Sequence, residues 1–535
     1  TRAWLAMLVL ADVALVWSLP VLVGQDLPQH LSYARILADY ADPSLPFHAT
    51  FELPPHPQPY FTAYLVLAAL TRVTSVMTAC RLVYTGYVVA TATGFAALVR
   101  AVHAPRTRTP WTALFGPLLV WNPVQCVGFL PFMLALPAVL FGAASVIHCT
   151  EGRARRPFLT LAFVAALTTS LHLVAAASLA VFAALYALFR RSARGALAAS
   201  LTALASLGTL ALWRAAGERE LAELPEGSLA ANVATEGLWG GLVRALGMRW
   251  STLADRKTFI VATVLGPLTY EAKMAIGLAI LGLVVVVWSA RKERAPLADA
   301  APSRLPYALA VLAFAALVVV TPTSLARPED ICLLDFRLYV LAFMLAVAAI
   351  TPRALEPRRA HVGLGLFAAF VMVVWGRQLG GASGEAEAVV RLMNGLAPTD
   401  TVLALPFHDR SEYLDESNAV THYFPVYNTA LHGGVTSLFW GKFSRHLPVG
   451  YRAGHEPSRP PDWDSSQFTR EELLATSHVL VEWPDEDDGD VRASGAARLR
   501  DELADGFAPV GCDGRWCLYR SPARRALTET EEALR

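Results

Sequence analysis

Residues 3–23 read AWLAMLVLADVALVWSLPVLV, and residues 24–31 follow without a break as GQDLPQHL. The first stretch carries a single ionisable side chain, Asp12. A bilayer's hydrocarbon core is about 30 Å thick and a helix rises about 1.5 Å per residue, so a run of this length and polarity crosses a membrane. No small-residue cleavage pattern follows it, and the segment reads as an anchor that stays. The polar stretch behind it opens a second helix, because Pro28 suits a first turn and Asp26 stands where an N-cap would.

Working outward, comparable apolar runs occupy residues 59–78, 80–101, 128–149, 196–213, 273–290, 305–322, 338–351 and 362–377. Residues 111–124 are short for a crossing. Residues 157–190 are too long for one crossing, and read as two short helices meeting near His172. These runs give about 11–13 spans. The 535 residues are 55% hydrophobic and only 17% charged, below the quarter or so expected of a soluble chain. Charge divides the chain further. Residues 1–378 hold 30 Lys and Arg against 19 Asp and Glu, whereas residues 379–535 hold 15 against 25. A single soluble globule, a coiled coil and a disordered chain are excluded. The basic residues sit in short clusters between apolar runs, which argues against nucleic acid as a partner.

Those clusters also orient the spans, since cytoplasmic loops are rich in Lys and Arg. Placing Arg106/Arg108, Arg153/Arg155/Arg156, Arg190/Arg191/Arg194, Arg291/Lys292/Arg294 and Arg353/Arg358/Arg359 inside puts the 122–131 turn, His172, the 214–258 loop and the 323–337 loop outside. It also exports the acidic tail. One conflict of parity arises. If 59–78 and 80–101 both cross, the Arg106 cluster lands outside, so one of the two must fall short or the rule fails there. In the tail, Cys512 and Cys517 flank an Asp513-Gly514 turn and can reach disulfide geometry, which suits an extracytoplasmic position.

The tail, residues 379–535, is long enough for one soluble domain. A helical pattern spans Glu385 to Leu396. Strands are predicted at Val402–Leu405 and His478–Glu482, and a terminal hairpin at Phe507–Val510 and Trp516–Tyr519. The fold class is therefore a polytopic α-helical membrane protein, residues 1–378 with a first outer loop at 24–58, closed by an extracytoplasmic α/β domain. Aromatic residues between 422 and 451 would pack the tail onto the membrane part or stack on sugar rings.

Chemistry concentrates in the first outer loop. The helix from Pro28 to about Tyr40 carries an apolar stripe of Leu31, Ala34, Ile36, Leu37 and Tyr40, suited to lying on the bilayer surface. Asp26 and His30 stand one turn apart, a spacing at which a carboxylate and an imidazole serve as acid-base partners or hold a divalent cation. A Pro-rich stretch with His48, Glu52 and His56 then leads through Pro57-Gln58-Pro59-Tyr60 to the next run.

On these residues the chain resembles the GT-C superfamily of polytopic glycosyltransferases. Asp26 matches the acidic loop residue, the following helix its membrane-surface helix, and Pro59-Tyr60 the approach to the second span. Asn122-Pro123-Val124-Gln125-Cys126-Val127-Gly128-Phe129 resembles a second outer turn of poorly characterised bacterial relatives. The resemblance covers residues 1–378 in layout. The chain departs from better-known members in having one acid where they have a pair. The resemblance implies a sugar donor carried on a polyprenyl phosphate and a glycan, lipid or protein acceptor. It implies Asp26 as general base with His30 as helper, a divalent cation (Mg or Mn) on the same two residues, and cationic groups on the phosphate. Arg337 at the mouth of a late span suits that last role, since its fork of donors matches phosphate oxygens. Glu52, His56, Asn122 and His172 are the other candidate substrate contacts. Heavy use of Ala, Arg and Leu suggests a GC-rich bacterial source and hence the inner membrane. The competing class is a non-catalytic relative in envelope polysaccharide or lipid assembly; a secondary transporter would show internal repeats, and none is evident.

Overall fold

The opening run folds as helix α1 (Arg2–Ser18), with Asp12 fully buried in its middle. The structure, a computed structural model, describes residues 1–54, 60–103, 110–153, 157–217, 248–250, 273–274, 276–277, 280, 303–325, 333–350, 357–408, 410–414, 420–442, 448–455, 465–484 and 491–522. His56, Cys332, the Arg106/Arg108 and Arg291/Lys292/Arg294 clusters and most of the 273–290 run lie outside them. Asp12 keeps its place among apolar side chains by accepting a hydrogen bond from Trp121 Nε1 at 2.9 Å. That ties α1 to the turn before residue 123.

Helix α2 (Leu27–Asp39) follows, then strand β1 (Phe51–Glu52), α3 (Phe61–Thr71) and α4 (Val76–His103). Length bears on the parity conflict. The eleven residues of α3 rise about 16 Å, half a bilayer, whereas the 28 residues of α4 are long enough to cross. Arg81 near the start of α4 donates to the carbonyls of Leu19 and Pro20 at 2.7 and 2.8 Å, so α4 begins beside the far end of α1 and runs back along it. It ends at His103, which accepts from Arg304 at 3.0 Å. Arg153 reaches the Ala101 carbonyl nearby at 2.9 Å. Basic residues thus gather at one end of the bundle, opposite the end that carries Asp26.

The bundle continues with α5 (Leu130–Glu151), α6 (Pro157–Leu171), α7 (Leu173–Arg190), α8 (Ala193–Gly217), α9 (Arg304–Val320) and α10 (Leu334–Ala348). His172 breaks 157–190 into two helices, as predicted. Among the described residues four helices are long and apolar enough to cross a membrane: Val76–His103, Leu130–Glu151, Leu173–Arg190 and Val362–Met393.

The last of these belongs to α11 (Pro357–Met393), which runs unbroken for 37 residues through the point where composition divides the chain. Sequence reading gives a span and a separate helix at 385–396; one helix serves both. The glycines at 380, 381 and 384 do not break it, and Gly381 has a packing reason: a Cβ there would overlap the Tyr413 ring. Beyond α11, strands β2 (Thr401–Pro406), β3 (Val435–Thr436), β5 (His478–Glu482), β6 (Ala508–Asp513) and β7 (Trp516–Arg520) form one sheet in the order β3-β2-β5-β7-β6, with β4 (Gly450–Tyr451) apart from it. The β2–β3 and β2–β5 pairs are parallel; β5–β7 and the β6–β7 hairpin are antiparallel. Cys512 and Cys517 are disulfide-bonded across that hairpin. Helices α12 (Arg470–Ala475) and α13 (Val491–Ala504) complete the layer.

The C-terminal domain grips the first loop. Antiparallel β1 and β4 pair Phe51 with Tyr451. Ser383 Oγ donates to the Val21 carbonyl at 2.6 Å, and Tyr427 hydroxyl donates to that of Leu22. Here α2 departs from expectation. Its stripe and its polar flank are covered by protein: nine of its thirteen residues are buried. The reason is that its polar flank has partners in the tail. Gln29 donates to the Leu438 carbonyl at 2.7 Å and accepts from the Trp440 amide at 3.1 Å, and Ser32 donates to the Val426 carbonyl at 3.1 Å. Tyr33, Phe47, Phe51, Tyr423, Phe439 and Tyr451 close into one apolar cluster, so most of the tail's aromatic residues are packed and buried.

Candidate active site

Asp26 is placed by two backbone hydrogen bonds that pair the loop with a second turn. The Gln25 amide donates to the Cys126 carbonyl at 2.9 Å and the Asp26 amide to that of Val127 at 2.8 Å. Gly128 makes this approach feasible. Its φ is +85°, and a Cβ there would fall 2.8 Å from the Leu27 nitrogen and 2.9 Å from that of Asp26. The turn itself is fixed by Asn122, which caps the short helix Pro123–Val127. Its Oδ1 accepts from the Val124 amide at 3.1 Å, and its Nδ2 donates to Tyr87 hydroxyl at 2.9 Å and to the carbonyls of Leu119 and Val120. The expected substrate contact at Asn122 is therefore corrected: the amide is spent on capping. An Asn immediately before a Pro carries that signal in the sequence.

The carboxyl of Asp26 behaves differently. Asp26 holds the N-cap position of α2, yet its φ and ψ of −90° and −5° turn the side chain away from the helix, and it makes no capping bond. Among the described residues nothing hydrogen-bonds its buried Oδ1. Burial pushes its pKa up to about 8, while the positive charge of Arg337 works against that rise.

Arg337 comes from the first turns of α10, buried, with its guanidinium 4.0 Å above the Phe129 ring. Its charge acts on Asp26, His30 and His172 alike. Four segments predicted to share one side of the membrane thus converge: the 24–31 loop, the 122–129 turn, the α6–α7 break and the start of α10. The sequence does not reveal Phe129 as the seat of Arg337.

His30 is buried beside Asp26. Its Nδ1 lies 2.8 Å from Tyr64 hydroxyl, and its other edge lies against the Gly128 backbone. Burial, then the charge of Arg337, lowers its pKa to about 3, so the ring is neutral. Glu52 lies exposed on β1, the strand paired with Gly450–Tyr451. His56 lies outside the described residues.

A divalent cation does not fit this donor set. One carboxylate stands beside a fixed guanidinium, His30 is already bonded, and among the described residues no three His, Cys, Asp or Glu side chains come together to hold a metal.

Next to the site runs an apolar cleft of about 330 Å³ between α7, α9 and α10, lined by Leu173, Val174, Phe314, Val318, Leu334 and Leu338. Leu173 adjoins His172, and Leu334 and Leu338 flank Arg337 along α10.

The arrangement is a helical bundle with a buried carboxyl and a buried guanidinium at one end, joined to an α/β domain. One solved structure it resembles is ArnT from Cupriavidus metallidurans bound to undecaprenyl phosphate. The TM-score is 0.54 and the identity 12%, over 97% of this chain and 97% of that one. The likeness covers the bundle and the roofing domain together. No family model matches the sequence, and no curated protein matches it.

Proposed function

We propose that this protein is a membrane glycosyltransferase that moves a sugar from a polyprenyl-phosphate donor to an acceptor hydroxyl, with Asp26 as general base. The observation that carries the reading is a buried carboxyl, released from capping duty, within the field of a buried Arg337 whose helix neighbours Leu334 and Leu338 line an apolar cleft. The cleft suits an isoprenoid chain, and Arg337 suits the phosphate at its end. The ArnT fold and the undecaprenyl phosphate bound to that protein support the same class of donor.

In this reading an acceptor hydroxyl approaches Asp26 and gives it a proton as the oxygen attacks the anomeric carbon. The bond between that carbon and the phosphate oxygen breaks, and polyprenyl phosphate leaves with the electron pair. Arg337 balances the negative charge that gathers there. Attack opposite the leaving group inverts the anomeric centre. No step passes through a metal ion. The proposal places the site and the C-terminal domain on the extracytoplasmic face of a bacterial inner membrane, where the acceptor is an envelope glycan, lipid or protein.

The test is transfer by the purified protein in liposomes. Radiolabelled polyprenyl-phosphate sugars are offered with lipid and glycan acceptors to wild type and to Asp26→Asn. Transfer in wild type that falls by at least about a thousandfold in the variant supports the reading. Transfer that survives removes Asp26 as base. Binding of donor lipid without transfer to any acceptor points to the non-catalytic, lipid-handling class.

A further inference from the structure

His172 occupies a position where a smaller residue would do the same structural work. It interrupts an apolar run with φ −163° and ψ 124°, and its Nδ1 accepts a hydrogen bond from the Val174 amide at 3.2 Å, capping α7. Ser, Asp or Asn caps a helix as well and buries less polar surface. An imidazole nitrogen that accepts a hydrogen bond carries no proton, so the proton of the neutral ring sits on Nε2. The ring is held on both faces. Tyr60 lies at 4.6 Å, tilted by 30°, and Phe132 stands edge-on at 5.0 Å. Tyr60 adopts φ +70° to make this contact, a conformation costly for a residue with a side chain, and such strain gathers where geometry is functional. Among the described residues no group hydrogen-bonds Nε2, although the residue is only 4% exposed. That N–H is left for a partner that the described residues do not supply. Leu173 and Val174, the residues that follow His172, line the apolar cleft, and the charge of Arg337 is within range.

We infer that His172 presents a neutral Nε2–H, fixed in direction by the α7 cap and by Tyr60 and Phe132, as a hydrogen-bond donor to an anionic oxygen of a lipid phosphate lying in the cleft beside Arg337. The inference rests on the lipid-phosphate reading above and adds a division of labour to it. Arg337 supplies the charge. His172 supplies direction without a second positive charge, so the phosphate left after transfer is oriented without being clamped.

The experiment measures binding of undecaprenyl phosphate and of undecaprenol to the full chain in nanodiscs, for wild type and for His172→Asn. Asn retains the cap acceptor and lacks the distant N–H. The expected result is at least about tenfold weaker binding of the phosphate, with binding of the alcohol unchanged. Equal phosphate binding by the two proteins overturns the inference. An equal loss on both probes also overturns it, since that is the mark of a merely structural residue. A wild type that fails to bind the phosphate at all overturns the proposed function, and this inference with it. The ¹⁵N spectrum of the wild-type imidazole judges the same point without a variant. It should show Nδ1 unprotonated, and an Nε2 signal that moves on adding undecaprenyl phosphate; a proton on Nδ1, or no movement, overturns the assignment.

Discussion

Asp26 carries opposite demands from folding and from chemistry. Its folded pKa of about 8 stands well above the ordinary carboxylate value of 3.8. Below pH 3.8 the group is neutral in both the folded and unfolded chain and costs nothing. As pH rises from 3.8 to 8 the unfolded chain ionises first, and a penalty on the folded state accumulates, on the order of a few kcal/mol by pH 7. Asp26→Asn removes that penalty. The variant should therefore melt a few degrees higher than wild type at pH 7 in a thermal scan, while losing transfer. A lower melting temperature would show that the carboxyl holds the loop together. The base must be ionised to act, so kcat/KM should rise about tenfold per pH unit below 8 and level off above it. His30, with a pKa of about 3, stays neutral throughout that range and adds no second limb. A profile flat from pH 6 to 9 would contradict the assignment.

At the scale of elements, the site depends on two turns pressed together. Gly128→Ala introduces a Cβ at a left-handed φ of +85° and 2.8 Å from the Leu27 nitrogen, so the 24–31 loop must back away. A displacement of about 1 Å costs about a hundredfold in rate in well-positioned sites. Transfer should fall by that order while the circular dichroism spectrum stays helical; near-normal activity would show that the loop tolerates movement. Asn122→Ala removes a cap worth about 1 kcal/mol and frees the same turn, so it should lower the melting temperature and weaken transfer together.

The elements themselves were largely legible. Hydropathy gives the spans, and an imidazole inside a long apolar run gives the break at His172. The terminal hairpin follows from Asp513-Gly514 and its flanking strands. What stayed hidden are pairings across the chain. Nothing near Glu52 in sequence announces that its strand pairs with residues 450–451, so a carboxylate that looked available turns out to belong to an exposed edge. The stripe on α2 was read correctly as apolar. Its partner was misjudged, because the carbonyls that receive Gln29 and Ser32 lie some four hundred residues away. Asp26 and Arg337 are conspicuous in the sequence because a charge beside an apolar run stands out in a membrane protein.

For the molecule as a whole, the decisive object is α11, shared between the membrane bundle and the sheet. Thirty-seven residues make a rod of about 55 Å, longer than a hydrocarbon core is thick. A helix turns about 100° per residue, so this rod works as a phase-keeper as well as a spacer. One residue inserted between Gln378 and Ser383 would swing the roofing domain by about 100° and carry Ser383 away from Val21. Seven residues inserted there would return the angle to within about 20° and lift the domain by about 10 Å. If azimuth alone mattered, the seven-residue insertion would recover transfer. Because the same domain also holds α2 through Gln29 and Ser32, height matters equally, and both insertions should be inactive in the liposome assay. The rod therefore acts as a ruler, and the height at which the domain meets the 24–31 loop is counted in residues of α11.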